Sequence, residues 1–260
     1  ALCEAARHNF GALGSDNIIL KNAKAESNSI NSISEGFQPD VVYMDPARRG
    51  EGGRKVFLIE ECTPDVLTLK DEIFRHCRHI LIKLSPMADI TMVCERLGSH
   101  CREVRVVATG GECKELLIWM DREWSGEYTI TAVELPSGYP DMEPAEFSFC
   151  SSEEKITTAS RPRNDVSGFL FEPGKSLMKA GCFNLIANRF GLMKLGVSTH
   201  YYVTESAAKA DELKTYGKVY MIISVQPLDK RTIKAAGAAY PRAEVTARNI
   251  PTDTETLRKK

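Results

Sequence analysis

The hydrophobic positions of this chain change period several times, and each change marks an element. Leu2, Ala5, Ala6 and Asn9 share one helical face and Gly11 and Gly14 follow, which predicts a helix over the first residues. Asn17 to Leu20 reads as a short strand, and the polar, Ser/Asn-rich stretch 24–39 as a helical turn and loop. Val41 to Met44 is an unbroken apolar run, the pattern of a buried strand. Residues 47–55 form a basic, glycine-containing loop and 56–64 are irregular. Val66, Leu69, Ile73 and Phe74 recur at helical spacing within Asp65 to Cys77. Ile80 to Leu84 is a second buried strand, stopped by Ser85-Pro86, and Ile90 to Leu97 a helix ending at Gly98. Glu103 to Ala108 and Glu115 to Met120 are strands joined by a turn at 109–112, and Tyr128 to Glu134 adds a short strand. Strand, helix, strand, helix, strand predicts a doubly wound parallel sheet, closed here by an antiparallel hairpin.

Residues 135–165 hold Pro136, Gly138, Pro140, Pro144 and Pro162 among several serines, so they read as a linker, with a domain boundary near 150–160. Beyond it, Gly168 to Gly174 opens a second α/β domain. A long helix is expected over 175–190, with Leu177, Leu185 and Ile186 inward and Gly191 at its end. Strands follow at Tyr201 to Thr204, Lys218 to Val225 and Ala243 to Ala247, with a helix capped by Asp229 running to about Ala239. Thr252-Asp253-Thr254-Glu255 is a capping box for a last helix, cut off at Lys260. The chain opens inside an element without Met and closes inside another, so a fragment is expected.

Composition narrows the class. The 260 residues are 43% apolar and 27% charged, and no apolar run approaches eighteen residues, which predicts a soluble protein without a membrane span. The N-terminus lacks the order of a signal peptide, and eight cysteines without CxxC spacing read as reduced thiols of a cytoplasmic protein. The net charge of −1 hides an asymmetry. Residues 1–150 carry 16 Lys and Arg against 24 Asp and Glu, and residues 151–260 carry 18 against 11. The basic half points to a polyanionic partner, with Arg161, Arg163, Lys175, Lys179, Arg189 and Lys194 as candidate phosphate contacts. His76, Cys77, His79, Cys94, His100 and Cys101 do not have the spacing of zinc ligands, so no metal is expected.

The candidate chemistry centres on Asp40-Val41-Val42-Tyr43-Met44-Asp45-Pro46-Ala47-Arg48-Arg49-Gly50. Asp45 stands at the carboxyl end of a strand, the edge where open α/β sheets bind ligands. Pro46 ends the strand and fixes the bend. With its flanking strands this motif resembles the later part of a class I S-adenosylmethionine-dependent methyltransferase. The fourth strand of that fold ends in an acidic-Pro motif, and its last two strands form an antiparallel hairpin. More closely, the chain resembles a bacterial methyltransferase family with a C-terminal THUMP-like domain. Further matching stretches are Lys83-Leu84-Ser85-Pro86-Met87, Gly111-Glu112-Cys113-Lys114-Glu115, Glu172 to Gly181 and Ala247-Arg248-Asn249. The resemblance implies a partial Rossmann-like methyltransferase sheet over 1–150, lacking its first strands and its glycine-rich cofactor loop. A smaller α/β THUMP-like domain over 160–260, itself cut short, would follow.

It also implies roles. Asp45 and Pro46 would hold the methyl acceptor, Arg48, Arg49, Ser85 and Pro86 would line its cleft, and Asn22, Ala23 and Asp45 would contact S-adenosylmethionine. Arg161, Arg163, Lys175 and Lys179 would meet RNA, a tRNA or rRNA. Two departures qualify this. Ala47 and Arg48 stand where amine-methylating relatives carry Pro and an aromatic that stacks on the base, a task a guanidinium can take over. No Gly-x-Gly turn precedes the Asp45 strand, so residues 1–260 alone are expected to bind the cofactor poorly and to be inactive. Cys113 lacks the Pro-Cys context of a cytosine-methylating nucleophile. Two other readings stand beside this one: a non-enzymatic RNA-binding protein on a degenerate scaffold, and a methyltransferase for a small molecule or a protein.

Overall fold

The computed structural model describes residues 1–26, 30, 36–47, 58–138, 142–162, 166–252 and 254–258. Part of the 24–39 stretch, nearly all of the 47–55 loop, Arg48, Arg49, Arg163 and Asp253 of the capping box lie outside the described residues. The strands are β1 (Val41–Met44), β2 (His79–Leu84), β3 (Cys101–Thr109), β4 (Glu112–Asp121), β5 (Thr129–Leu135), β6 (Ala145–Cys150), β7 (Phe169–Pro173), β8 (Met193–Lys194), β9 (Tyr202–Thr204) and β10 (Gly217–Met221) among the described residues, in a six-stranded sheet of order β1-β2-β4-β3-β5-β6 and a four-stranded sheet of order β10-β7-β9-β8. By contacts the chain divides into two compact units, residues 1–105 with 115–129, and residues 106–114 with 130–260.

In the first unit, β1 (Val41–Met44) pairs in parallel with β2 (His79–Leu84), and β2 pairs antiparallel with β4 (Glu112–Asp121) over residues 116–121. β2 alternates cleanly. Ile80, Ile82 and Leu84 are buried, and α2 (Val66–His76) packs against this strand with Val66, Leu69, Ile73 and Phe74 inward. Asp65 starts α2 by accepting from the backbone N–H groups of Leu67 (2.9 Å) and Thr68 (3.4 Å). α3 (Ile90–Leu97) begins in the same way, Asp89 accepting from Met92 N–H at 2.9 Å, and stops at Gly98, whose φ of 83° suits a residue without Cβ. At the far end of β2, Asp121 is buried and accepts from Arg78 Nε (3.0 Å) and Nη2 (3.1 Å), Arg102 Nη1 (3.2 Å) and the N–H of Glu123 (3.0 Å).

Two expectations for this unit are corrected. Val41 to Met44 is a strand, but only Met44 is buried; Val41 and Tyr43, which alternate onto one face, are 40% and 55% exposed, and among the described residues β1 is the last strand of its sheet. Asn17 to Leu20 forms no strand. Ile18 and Ile19 are too short an apolar run to hold an extended segment without a pairing edge, and both are exposed. The first helix is present as α1 (Leu2–Ala12), with no buried residue.

The second unit contains β5 (Thr129–Leu135) from Ile130 onward, β6 (Ala145–Cys150), α4 (Glu153–Ile156) and the four-stranded sheet. The stretch read as linker is therefore structured in part. Phe147 and Phe149 alternate inward along β6, a strand pattern masked in the sequence by neighbouring prolines. In the smaller sheet, β7 (Phe169–Pro173) pairs antiparallel with both β9 (Tyr202–Thr204) and β10 (Gly217–Met221), and β8 (Met193–Lys194) pairs with β9. Tyr202 is fully buried, its hydroxyl donating to Phe183 O at 2.7 Å.

The helix expected over 175–190 is two helices, α5 (Lys175–Ala180) and α6 (Phe183–Phe190). Gly181 adopts φ +79° and closes α5, with its N–H on Leu177 O. The Glu154 carboxylate then accepts from the N–H groups of Asn184 (2.8 Å) and Leu185 (3.0 Å) and starts α6 afresh. Leu177, Leu185 and Ile186 are buried as expected. α7 (Ala207–Glu212) precedes β10, and α8 (Lys230–Ala239) is capped by Asp229, which accepts from Thr232 N–H at 2.7 Å. Ala243 to Ala247 is not a strand. The chain there is held instead by side chains at its end, where Arg248 reaches Glu172 and Thr199 O. α9 (Thr254–Arg258) follows.

Candidate active site

Parallel pairing determines which side chains meet at the motif. Met44 lies opposite Ile82, so the next residues, Asp45 and Lys83, emerge side by side at the carboxyl ends of β1 and β2. Lys83 Nζ sits 2.6 Å from Asp45 Oδ2. Both side chains remain partly open, Asp45 at 49% and Lys83 at 31% exposure, so solvent and solutes reach the pair. The hydrogen bond to Asp45, aided by the nearby Tyr43 and Glu115, makes the Lys83 ammonium harder to deprotonate than an ordinary lysine.

The chain beyond Asp45-Pro46 is pinned. Ala47 N–H donates to Thr63 O at 2.7 Å and Thr63 N–H returns to Ala47 O at 3.1 Å. Ser85, at the end of β2, is buried; its Oγ accepts from Met87 N–H at 3.2 Å and its carbonyl from Ala88 N–H at 3.0 Å. That local turn fixes Ser85 and the half-buried Pro86 two and three residues beyond Lys83. Of the residues singled out from the sequence, Asp45, Pro46, Ser85 and Pro86 thus stand at the ends of two neighbouring strands. Lys83 was missed as a site residue. Its signal was present, a single lysine inside an otherwise apolar strand.

Asn22 and Ala23 are exposed in a stretch without regular structure. Among the described residues ahead of β1, no glycine-rich turn links a strand to a helix and would cradle a dinucleotide-like cofactor. The described residues therefore do not by themselves fit S-adenosylmethionine.

Other candidates resolve individually. Cys113 is pushed up by burial, which disfavours a thiolate nucleophile. Cys94 and Cys101 lie 3.5 Å apart as free thiols, and hydrogen bonding between them with burial pushes Cys94 far above the usual thiol range. His79 stacks on Trp119, with ring centroids 5.0 Å apart. Among the described residues no three His, Cys, Asp or Glu side chains are grouped to hold a metal, and no helix is long and apolar enough to cross a membrane. In the second unit, Arg161 and Lys175 are exposed and Lys179 is half-buried. Arg189 is committed to Glu153 at 2.6 Å, and Lys194 is buried against Asn184 Oδ1 at 3.1 Å, so neither is an open phosphate contact.

Residues 169–210 match a ferredoxin-like domain family and residues 217–260 a THUMP domain-like family. A crystal structure described as "putative methyltransferase from Porphyromonas gingivalis W83" superposes with a TM-score of 0.82 at 30% identity. The chain has a methyltransferase-type fold with a C-terminal THUMP-like domain. The alignment covers 99% of this chain and 61% of the Porphyromonas protein, so the chain spans less than two thirds of that relative. Among curated proteins none matches. The ferredoxin-like segment carries β7, α5, α6, β8 and β9, and the THUMP-like segment carries β10, α8 and α9.

Proposed function

We propose that this chain supplies the acceptor side of an S-adenosylmethionine-dependent methyltransferase acting on a base of structured RNA, a tRNA or rRNA. The observation that carries the reading is the solvent-accessible Asp45–Lys83 pair at the carboxyl ends of two parallel strands. In this reading residues 1–150 are the methyltransferase part and 160–260 the part that meets RNA. Lys83 engages Asp45 Oδ2 and leaves Oδ1 to accept an N–H of the acceptor base. A second acceptor at the rigid Asp-Pro bend holds the same amine from its other side. Alignment of the nitrogen lone pair is then the main contribution, because holding two reactants in line removes a large entropic part of the barrier. Ser85 and Pro86 form the neighbouring wall, with Arg48 and Arg49 as proposed partners of the base and its phosphates and Asn22 and Ala23 as proposed cofactor contacts. Support for RNA comes from the THUMP-like match and from the basic second half, 18 Lys and Arg against 11 Asp and Glu over 151–260.

The test is methyl transfer from radiolabelled S-adenosylmethionine by the full-length protein, with RNA, protein and small-molecule fractions counted separately. Label is expected in RNA, reduced roughly tenfold or more by Lys83→Met, the size of effect of losing a positioned polar contact. Label confined to the protein or small-molecule fraction would overturn the RNA assignment, and no label in any fraction would overturn the enzymatic one.

A further inference from the structure

Three neighbouring strands meet at the Asp45–Lys83 pair, and the third brings a further carboxylate. β2 pairs antiparallel with β4, Lys83 opposite Leu117 and Leu84 opposite Leu116. Side chains alternate along a strand, so Glu115 lies on the face of Leu117 and therefore of Lys83, one diagonal step toward the carboxyl end of β2. From the other side, Tyr43 lies opposite Leu81, so the same alternation puts it on the face that Asp45 and Lys83 share. Glu115 belongs to the same compact unit as β1 and β2.

The charged and titratable groups facing the Lys83 ammonium are thus Asp45 and Tyr43 from β1 and Glu115 from β4, and all three favour its protonated form. Asp45 is the contact partner, through Oδ2 at 2.6 Å, and Glu115 acts from farther off. Glu115 is half-buried and makes no hydrogen bond or ion pair among the described residues. The lysine next to it in sequence does not serve it, because Lys114 alternates onto the opposite face and is paired with Glu112 at 2.6 Å. Two carboxylates therefore share one ammonium, and of its three N–H donors Asp45 takes one. An excess of negative charge here has a chemical consequence. A lysine that lost its proton would give up its charge-assisted bond to Asp45 and would become a nucleophilic amine beside the place proposed for the acceptor nitrogen.

We infer that Glu115 is a positioning residue of the acceptor site: its carboxylate is the second counter-charge of Lys83 and keeps that side chain an ammonium donor on Asp45 instead of a free amine competing with the acceptor nitrogen. The inference rests on the reading of Asp45 as the acceptor-binding acid and adds what holds Lys83 in its role. It is tested by trace labelling of the full-length protein with acetic anhydride at alkaline pH, which acylates the free amine alone. Label on the peptide carrying Lys83 is measured by mass spectrometry relative to that on the exposed Lys230. Glu115→Gln is expected to raise this ratio about threefold, the size of one screened charge across a strand. Glu115→Asp, which keeps the charge, is expected to stay near the wild-type ratio. An unchanged ratio in Glu115→Gln would overturn the inference, as would equal rises in both variants, which would mean loosened packing. In methyl transfer to RNA, the alkaline limb of the pH profile is expected to move down by about half a unit in Glu115→Gln, the same threefold. A loss that is equal at every pH would mark a merely structural role and contradict the inference. If Lys83 labelling rises but no RNA is methylated, the role of Glu115 toward Lys83 stands and the enzymatic reading fails. If RNA is methylated while labelling and pH limb stay as in the wild type, the Glu115 assignment alone fails.

Discussion

Two aspartates at opposite ends of the β2 strand have contrasting surroundings. Asp121 is buried, and Arg78, donating two hydrogen bonds, holds its carboxyl well below the usual range. Because that folded-state pKa is depressed, the ion pair stabilises the fold above the ordinary Asp value of about 4, and the contribution is lost as pH falls below it. Urea midpoints measured on the way down from neutrality to acid should therefore fall more steeply in the wild type than in Asp121→Asn, which starts lower. Parallel curves would mean that Asp121 is not the anchor. Asp45, by contrast, is half-exposed and holds one lysine, an arrangement with room for a ligand. Its place at a strand end was legible from the Asp-Pro. Lys83 was not, because a lone lysine acquires meaning only once the parallel register puts it beside Asp45.

Elements were legible where their pattern was long and locally consistent. The faces of α2 and α3, the β2 strand and the β3 (Cys101–Thr109) to β4 hairpin follow the periodicity of their residues. Errors fell where a partner element decides. Asn17 to Leu20 and Ala243 to Ala247 have strand-forming residues but no strand pairing, and β6 was concealed by flanking prolines. The break between α5 and α6 depends on Glu154, distant in sequence, capping a new start. Glycine positions separate local from tertiary constraint in a measurable way. Gly168, φ +83°, approaches β9 so closely that a Cβ would lie 2.5 Å from Thr204 O, whereas Gly181, φ +79°, has open space around it. Gly181→Ala should cost about 1 kcal/mol from backbone strain alone. Gly168→Ala should cost distinctly more, above about 2 kcal/mol, since strain and overpacking add. Equal denaturant midpoints for the two variants would contradict this packing of β7 and β9.

At the scale of the whole molecule, fold class was readable because strand, helix and hairpin follow in an order few architectures share, and the separate stretches resembling one family agree with it. The further division of the second half into ferredoxin-like and THUMP-like segments was not readable, since both are short α/β pieces with the same local patterns. The proposed function places the methyl acceptor on Asp45, in a half with 16 Lys and Arg against 24 Asp and Glu, and RNA on a half with 18 against 11. Its central claim is that Asp45 holds the methyl acceptor. The most direct test compares full-length wild type with Asp45→Ala in transfer of label from S-adenosylmethionine to total RNA, with RNA affinity measured alongside. The account predicts incorporation reduced about a hundredfold or more at unchanged RNA affinity. Equal incorporation by the two proteins would contradict it.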